Sequence, residues 1–394
     1  SISSMGSKEV ARGRSKLPTL RRSCPTETSS CRPPDMREPD APEPARVASA
    51  VAMSEPPDFR LEQSELRSED EFDEFGYEDL EYYVDFRGTF DKLPLCPDEE
   101  SLAASGADVA IVGAPLDDGT SGRPGARFGP RAIRSAPTTW GSDAWSIQLQ
   151  VEPYARLKIV DAGDAPVVAS RHARGLRVIH EKVLRVASSG ALPFVLGGDH
   201  SITYPSAAAV ARHVWPRKVG VVHFDAHADA ASSVGGSLIS HGTPMRRLIE
   251  EGWVEGRNFV QVGLRGYWPE KATFDWMAEQ GFRWHTIVDV EERGVDAVID
   301  DAIAEALDGP DLVYLSVDID VVDPGMAPGT GTPEPGGMSA RELLRAIRRV
   351  AGAVDLAGMD VVEVSPPYDQ SEVTALLAYR VVMEALSALA AGRG

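Results

Sequence analysis

Short runs of β-branched and aromatic residues alternate with longer stretches of helical periodicity from residue 101 to residue 394. The apolar runs have the length and composition of buried strands. Eight strands are predicted, at 108–114, 156–161, 192–197, 218–225, 258–264, 283–288, 312–320 and 356–364. Amphipathic segments between them predict helices at 172–189, 203–213, 244–251, 270–280, 294–308, 339–351 and 371–391.

This alternation predicts an α/β fold with a mostly parallel sheet of eight strands. Parallel neighbours need crossover connections, and these cover both faces of the sheet with helices. Sheets of this kind bind ligands beyond the carboxyl ends of their strands. Because no internal repeat is visible, residues 101–394 are predicted to form one catalytic domain.

Two segments precede this domain. Residues 1–54 are rich in Pro, Ser and Arg without apolar periodicity, which predicts a disordered N-terminal extension, and Met53 is a candidate for the natural start. Residues 55–100 carry 17 acidic and four basic side chains, a net charge of −13, with aromatic residues interleaved. We expect an acidic arm that packs an apolar stripe on the main body; a cover over the active site or a subunit contact is the alternative.

Composition restricts the partners. The formal charge of −20 repels phosphate backbones and anionic lipid, so neither nucleic acid nor membrane is an expected partner, whereas a small cationic ligand is. No stretch reaches the roughly 20 uninterrupted apolar residues of a bilayer span. The three cysteines, Cys24, Cys31 and Cys96, are too few for a disulfide framework, which predicts a reducing, cytoplasmic location.

Acidic side chains gather where two predicted strands end. Asp225, His227 and Asp229 follow the fourth strand at alternate positions, so they point the same way and can converge on one place. Asp318 and Asp320 close the seventh strand with the same spacing. Because burying such acids is costly unless a cation neutralises them, this pattern predicts metal binding.

A glycine turn after the third strand adds His200 at the same edge of the sheet. The candidate metal ligands are therefore four carboxylates and two imidazoles, His200, Asp225, His227, Asp229, Asp318 and Asp320. Six ligands are enough for two ions with an open position, and oxygen-rich ligation suits Mn²⁺ better than Zn²⁺, with Ni²⁺ or another divalent metal tolerable. Two metals that share a water lower its pKa, which predicts metal-assisted hydrolysis.

Three blocks of the sequence, 197–201, 223–229 and 316–324, resemble the signatures of the ureohydrolase family, which includes arginase and agmatinase. Two further blocks, 120–130 and 360–366, are similar to the agmatinase-like branch. The resemblance extends over about residues 107–390. It implies a three-layer α/β/α sandwich of the arginase type, two Mn²⁺ per subunit, a homo-oligomer (trimer or hexamer), and hydrolysis of a guanidino compound to urea and an amine.

The resemblance also implies individual roles. One metal would be held by His200, Asp225, Asp229 and Asp318, and the other by Asp225, His227, Asp318 and Asp320, with Asp225 and Asp318 bridging. Glu363 matches the glutamate that pairs with the guanidinium, and His241 matches the histidine that shuttles protons, for which a near-neutral pKa is suitable. His223 lies one step deeper in its strand, so we expect it to support the ligands or the core.

The substrate is less constrained by the sequence. Segment 230–240 carries no charge and lacks the Asn-Thr pair with which arginases hold the α-carboxylate, so L-arginine is disfavoured. Agmatine, which ends in an ammonium group, fits the acidic surroundings best. Guanidine, guanidinobutyrate and guanidinopropionate remain open.

Two different classes of function are also considered. A metallophosphoesterase uses an Asp-x-His motif, but there the motif comes first and an Asn-His turn follows, whereas here Gly-Gly-Asp-His precedes it. A non-catalytic binding relative would normally have lost metal ligands, and none is missing from the motifs.

Overall fold

The computed structural model describes residues 55–59, 88–136 and 144–393. The extension at 1–54, and residues 60–87 of the acidic arm, lie outside the described residues. The proposed boundaries at 54 and 100 therefore stay predictions.

The sheet has the eight predicted strands, all paired in parallel. They are β1 Val109–Ala114, β2 Ile159–Asp164, β3 Leu192–Gly197, β4 Val219–Phe224, β5 Phe259–Leu264, β6 Arg283–Thr286, β7 Leu312–Asp318 and β8 Leu356–Val362. Their spatial order is β2-β1-β3-β8-β7-β4-β5-β6. The predicted α/β fold is confirmed.

Eleven α-helices connect or flank these strands within the described residues. They are α1 Glu99–Ser105, α2 Gly129–Arg134, α3 Pro153–Arg156, α4 His172–Ser188, α5 Thr203–Val214, α6 Pro244–Glu250, α7 Lys271–Gln280, α8 Ile287–Arg293, α9 Val295–Ala306, α10 Ala340–Ala353 and α11 Val373–Gly392. All seven predicted helices are present, and α1, α2, α3 and α8 are additions.

Local signals explain three of the differences between the predicted and the observed strand boundaries. β2 begins at Ile159 rather than at 156, because Pro153 at the N-terminus of α3 favours a helical turn before it. β6 ends at Thr286, where a reciprocal capping box between Thr286 and Asp289 starts α8, so residues 287 and 288 are helical. β7 ends at Asp318, which caps a 3₁₀ turn over Ile319–Val321.

Helices cover both faces of the sheet and make three layers. One apolar core joins alternate strand residues such as Ile111 and Val317 to α9, α10 and α11. A second core joins the other strand face, including Val112, to α4, α5 and α6. Side chains therefore alternate between two cores, as a sheet buried on both sides requires.

Helix α11 is long and apolar enough in composition to cross a membrane. In this structure 78% of its most apolar stretch of 18 residues is buried inside the protein. It packs in the first core, through residues such as Val381 and Leu386. Its apolar composition is therefore explained by its place in the interior.

The strand order places four carboxyl ends side by side. β3, β8, β7 and β4 are direct neighbours, although they lie far apart in the sequence. His200, Glu363, Asp318 and Asp225 follow or end these four strands, respectively. The topology thus brings all the candidate site residues to one edge of the sheet.

Candidate metal centre

The candidate ligands lie at the ends of β3, β4 and β7, and all of them are buried except His227, which is half-buried. Asp225 and His200 are 0% exposed, Asp320 is 1% and Asp318 is 2%. Backbone turns aim these side chains inward: Asp225 Oδ1 accepts the His227 N–H at 2.6 Å, and Asp318 Oδ1 accepts the Asp320 N–H at 2.8 Å. Each turn therefore fixes a carboxylate with the backbone that carries the next candidate ligand.

Among the described residues, three groups of side chains each bring potential ligand atoms within 4.8 Å of one another. One of them joins His223 to His200 and Asp225, and the other two contain candidate ligands only. The first ligand group is His200, Asp225, Asp229 and Asp318, and the second ligand group is Asp225, His227 and Asp320. In the first, His200 Nδ1 lies 3.1 Å from Asp225 Oδ2 and 3.0 Å from an oxygen of each of the other two aspartates. In the second, His227 Nδ1 lies 3.1 Å from Asp320 Oδ2.

Asp225 belongs to both groups, as a bridging ligand must. Asp318 belongs to the first group alone, and its Oδ1 accepts the N–H of Asp320. The geometry thus brings together all six candidate ligands, while a bridging role for Asp318 stays a prediction.

The charges of this cluster need compensation. Burial and the neighbouring charges of Asp320 and Asp225 raise the pKa of Asp318 well above its usual value. His200 Nδ1 and Asp225 Oδ2 are buried and make no hydrogen bond among the described residues. Four carboxylates beside neutral imidazoles carry the charge that two divalent cations balance, so these residues fit a pair of metal ions.

Polar residues behind the ligands hold them in place. His223, fully buried, places Nε2 2.9 Å from Asp225 Oδ2, and its Nδ1 lies 3.0 Å from the Gln261 amide nitrogen. His223 thus supports a candidate ligand, as expected from the sequence. Its ring also meets that of His200 edge-on, with centroids 4.8 Å apart.

A second supporting network lies behind His200, and the sequence did not predict it. His200 Nε2 lies 3.1 Å from the Ser316 hydroxyl, which donates to Asp360 Oδ1 at 2.8 Å. Asp360 Oδ2 accepts from Tyr314 and Thr203. A contact of this kind on the far nitrogen orients a metal-binding imidazole. The available signal was Asp360 itself, a lone carboxylate inside the apolar strand β8.

Two candidate site residues near the centre, Asp229 and Glu363, have a strained backbone. Asp229 has φ 48° and Glu363 has φ 63°, in the left-handed region that non-glycine residues rarely occupy. Asp229 joins the first ligand group, and Glu363 follows β8. Such strain persists where surrounding contacts determine the conformation, often at functional sites.

Glu363 lies beside the ligand groups and bonds to His241. Its Oε1 accepts the His200 N–H and lies 2.9 Å from His241 Nδ1, whereas its Oε2 is buried without a hydrogen-bond partner among the described residues. Burial raises the pKa of Glu363, but the hydrogen bond and charge of His241, together with the N–H and charge of His200, outweigh it, and the pKa falls below its usual value. Glu363 therefore offers an ionised, unpaired oxygen.

His241 is buried, with 7% exposure, and both ring nitrogens have partners. Its Nε2 accepts the Ser121 backbone N–H at 3.0 Å and lies 2.7 Å from the Ser121 hydroxyl oxygen. Burial lowers the pKa of His241, but the hydrogen bond and charge of Glu363 raise it to about 9. The Ser121 N–H opposes protonation at Nε2, so the neutral ring carries its proton on Nδ1 and donates it to Glu363.

A cavity of about 180 Å³ opens over this centre. It is lined by Ser121, His227, Asp229, Val234, His241, Gly242, Trp268, Asp318 and Thr332. Trp268 forms a wall: a Cβ on Gly242 would lie 2.7 Å from its ring, and its ring stands edge-on to His227 at 5.9 Å. Because pockets for drug-sized ligands usually exceed about 300 Å³, this cavity suits a small molecule.

Comparisons with known proteins agree with this geometry. The model of the arginase family matches residues 107–388. The mitochondrial agmatinase of Gallus gallus is 41% identical over 292 residues, which cover 73% of this chain and 82% of that protein. A guanidinobutyrase of Pseudomonas aeruginosa is 40% identical over 285 residues, which cover 72% of this chain and 86% of that protein.

A solved structure has the same fold. The proclavaminate amidino hydrolase of Streptomyces clavuligerus superposes with a TM-score of 0.70 at 37% identity. The match covers 78% of this chain and 99% of that one.

Proposed function

We propose, because this chain belongs to the arginase family of metal-dependent ureohydrolases, that it hydrolyses agmatine to putrescine and urea. One observation supports the proposal above others. Glu363 Oε2 is ionised, buried and without a hydrogen-bond partner among the described residues, beside the two ligand groups. A guanidinium is the planar cation that pairs best with a carboxylate oxygen in this position.

The metals belong to the same proposal. The first ligand group would hold one Mn²⁺ and the second ligand group another, with Asp225 common to both. When bound, two such ions would make a hydroxide from water near neutral pH. Ni²⁺ or another divalent ion suits the same oxygen-rich donors.

The side chains of the chain perform the remaining steps. Glu363 would hold the guanidinium with its carbon turned toward the ligand groups, because its partnerless oxygen is on that side of His241. His241 would take up a proton during the attack of water and return it to the departing amine. Its contact with Glu363 raises the pKa of His241 to about 9, so the neutral ring that accepts this proton is the main form only above about pH 9. Burial of both residues keeps bulk water from competing.

The walls of the cavity favour a cationic tail. None of its described lining residues is Lys or Arg, so none offers a positive charge to a carboxylate tail. Asp229 and Asp318 also line it, but bound metal ions would compensate their charges. The methylene groups of agmatine can pack on the indole of Trp268, and its ammonium can bind to the face of that ring.

The 40% identity to a guanidinobutyrase makes guanidinobutyrate the main alternative substrate. Guanidinobutyrate has the same guanidino group and a tail of similar length, but it ends in a carboxylate. Guanidinopropionate and guanidine are two more competing substrates, and the small cavity is compatible with both. The charge of the tail, rather than its length, therefore decides among them in our proposal.

Location and assembly complete the proposal. A cytoplasmic enzyme follows from the few cysteines of the sequence, and a trimer or hexamer from its family resemblance. Size-exclusion chromatography with light scattering would measure the oligomeric state directly.

The decisive experiment is urea release from agmatine, guanidinobutyrate, guanidinopropionate, guanidine and L-arginine after reconstitution with Mn²⁺ or Ni²⁺. We expect the highest kcat/KM for agmatine. A higher value for guanidinobutyrate would contradict the proposed tail recognition, and urea release by rigorously metal-free protein would contradict the metal chemistry. The Asp318→Asn protein serves as the inactive reference, and Asp311→Asn, at the opposite, exposed end of β7, as its matched control.

A further inference from the structure

Ser121 covers the one nitrogen of His241 that faces away from Glu363. Its hydroxyl oxygen lies 2.7 Å from Nε2, and its backbone N–H donates to the same nitrogen at 3.0 Å. Glu363 Oε1 occupies the other ring nitrogen, Nδ1, at 2.9 Å. A proton that enters or leaves Nε2 therefore passes between His241 and Ser121.

The position of Ser121 is fixed by its own segment, which follows β1. Asp199 Oδ2 accepts the Gly119 N–H at 2.8 Å, and the Gly119 carbonyl accepts the His241 N–H at 3.1 Å and the Ser240 hydroxyl at 2.9 Å. The fit is close, since a Cβ on Gly119 would lie 3.0 Å from both Asp199 Oδ2 and the His241 nitrogen. The segment of Ser121 and the backbone of His241 are thus held together as one unit.

Exposure differs sharply across the Ser121–His241 contact. His241 is 7% exposed, whereas Ser121 is an exposed residue, and both line the cavity over the ligand groups. Both partners of the contact thus reach the cavity, and Ser121 is the more exposed of the two. Among the acids, Glu363, Asp229 and Asp199 face His241. None of these three acids makes a hydrogen bond to Nε2, whose described partners are the N–H and the hydroxyl of Ser121.

We propose that the Ser121 hydroxyl is a further catalytic residue, which relays protons between His241 Nε2 and the reacting molecules in the cavity. The inference rests on the proposed hydrolysis. As the C–O bond forms, the attacking water gives a proton to Ser121 Oγ, which passes its own proton to Nε2. As the C–N bond breaks, its electron pair goes to the amine nitrogen, Nε2–H returns a proton to Oγ, and Ser121 gives one to that nitrogen. The serine ends unchanged.

The relay separates the two donors of Ser121 by function. The backbone N–H orients the resting, neutral imidazole and does not depend on the side chain, but it must give up the lone pair of Nε2 when the hydroxyl proton is transferred there. The hydroxyl alone can both accept and donate a proton. Ser121→Ala removes the hydroxyl and keeps the backbone donor, so it tests the relay without releasing His241.

The test compares Ser121→Ala, Ser121→Thr and the wild-type enzyme, all loaded with Mn²⁺. We expect Ser121→Ala to lose kcat by about 10- to 100-fold with KM within about twofold, because one proton-transfer group is removed while binding is kept. Ser121→Thr, which keeps a hydroxyl, should recover most of kcat. Imidazole buffer should raise the kcat of Ser121→Ala as its concentration increases, because it supplies the missing donor. Ser232→Ala, an exposed serine of the 230–240 segment, is the matched control and should stay at the wild-type rate.

Several outcomes would overturn the relay. These are a kcat of Ser121→Ala within about twofold of wild type, a loss of bound metal or thermal stability that accounts for the defect, or a defect in KM alone. A kcat of Ser121→Ala that does not respond to imidazole buffer would also contradict it. If the wild-type enzyme prefers a guanidino acid, the proposed substrate is wrong, and the same comparison on that acid still decides the role of Ser121.

Discussion

Glu363 bonds to His241 and to the backbone of His200 through a single oxygen. Its Oε1 lies 2.9 Å from His241 Nδ1 and accepts the His200 N–H, also at 2.9 Å. The second oxygen, Oε2, is buried without a hydrogen-bond partner among the described residues. One carboxylate therefore joins His241 to the strand end that carries the candidate ligand His200, and it leaves one oxygen for the guanidinium that we propose as its partner.

Glu363→Gln is expected to impair catalysis without unloading the metals. The amide keeps the size of the side chain but lacks the charge that pairs with a guanidinium, which is worth about 1.5–3 kcal/mol in a buried contact. We expect kcat/KM to fall by about 10- to 100-fold, with metal content measured by atomic emission unchanged. Glu292→Gln, on an exposed helix, is the control. Loss of metal in Glu363→Gln would instead make Glu363 part of the ligand set.

His241→Ala is expected to lower kcat and to leave both metals bound. The two ring nitrogens of His241 bond to Glu363 and Ser121, and neither bonds to an atom of the two ligand groups. Removal of a general acid–base group typically costs about 100-fold or more in rate. His213→Ala, an exposed histidine, should keep wild-type kinetics. Metal loss from His241→Ala would move this residue into the metal centre.

Asp225→Asn and Asp318→Asn test the two residues expected to bridge. Asp225 belongs to both ligand groups, so its replacement by a neutral amide should abolish hydrolysis and prevent loading of two ions. Asp318 belongs to the first group alone, so its variant tests whether this carboxylate contacts one ion or both. Two metals and full activity in Asp225→Asn would refute the bridging role. Weakened binding of both ions by Asp318→Asn in titration calorimetry would support bridging by Asp318, whereas loss of one ion alone would mark it as a terminal ligand.

The candidate ligands could be selected from the sequence because each one leaves a local signal. Carboxylates that end an apolar strand, as Asp225 and Asp318 do, are costly without a cation and are visible in a few consecutive residues. The strand order that makes β3, β8, β7 and β4 neighbours leaves no such signal. The sequence motifs thus predicted which residues meet, whereas the topology shows how.

Contacts between distant segments could not be predicted. Ser121 and His241 are 120 residues apart, and their contact depends on the path of two loops. The Ser316–Asp360 bond behind His200 joins two strands whose adjacency was unknown from the sequence. Helix α8 was missed because the capping box at Thr286 acts within a run of strand-forming residues. In each case tertiary or capping contacts outweigh the local pattern.

Metal binding is expected to stabilise the fold. Burial and neighbouring acids raise the pKa of Asp318, which shows that the carboxylates oppose one another when no cation compensates them. Mn²⁺ at about 100 times its dissociation constant should add about 2.7 kcal/mol to the free energy of unfolding. A thermal scan with and without a chelator should show a higher midpoint with metal. The shift should shrink in Asp225→Asn and persist in Asp311→Asn. Equal midpoints with and without metal would contradict the compensation argument.

His180 should make the stability of the fold depend on pH. It is buried, its ring stacks on Phe59 at 4.1 Å, and its Nδ1 bonds to the Pro205 carbonyl. Burial, in excess of the opposing effect of that bond, lowers the pKa of His180 from 6.5 to about 4.

The sign of this dependence follows from the two pKa values of His180. The unfolded chain takes up a proton near pH 6.5 and the folded chain only near pH 4, so the unfolded state binds more protons in between. The stabilisation is complete above pH 6.5 and is lost as the pH falls toward 4. Between about pH 7 and about pH 5 it should decline by about 2 kcal/mol. Urea unfolding of wild type and His180→Phe at both pH values isolates this loss, because the other groups titrate in both proteins. The free energy of unfolding should depend less on pH in His180→Phe than in the wild type. The control His213→Gln should keep the wild-type dependence. Equal pH dependence in wild type and His180→Phe would show that His180 is protonated alike in the folded and unfolded chains.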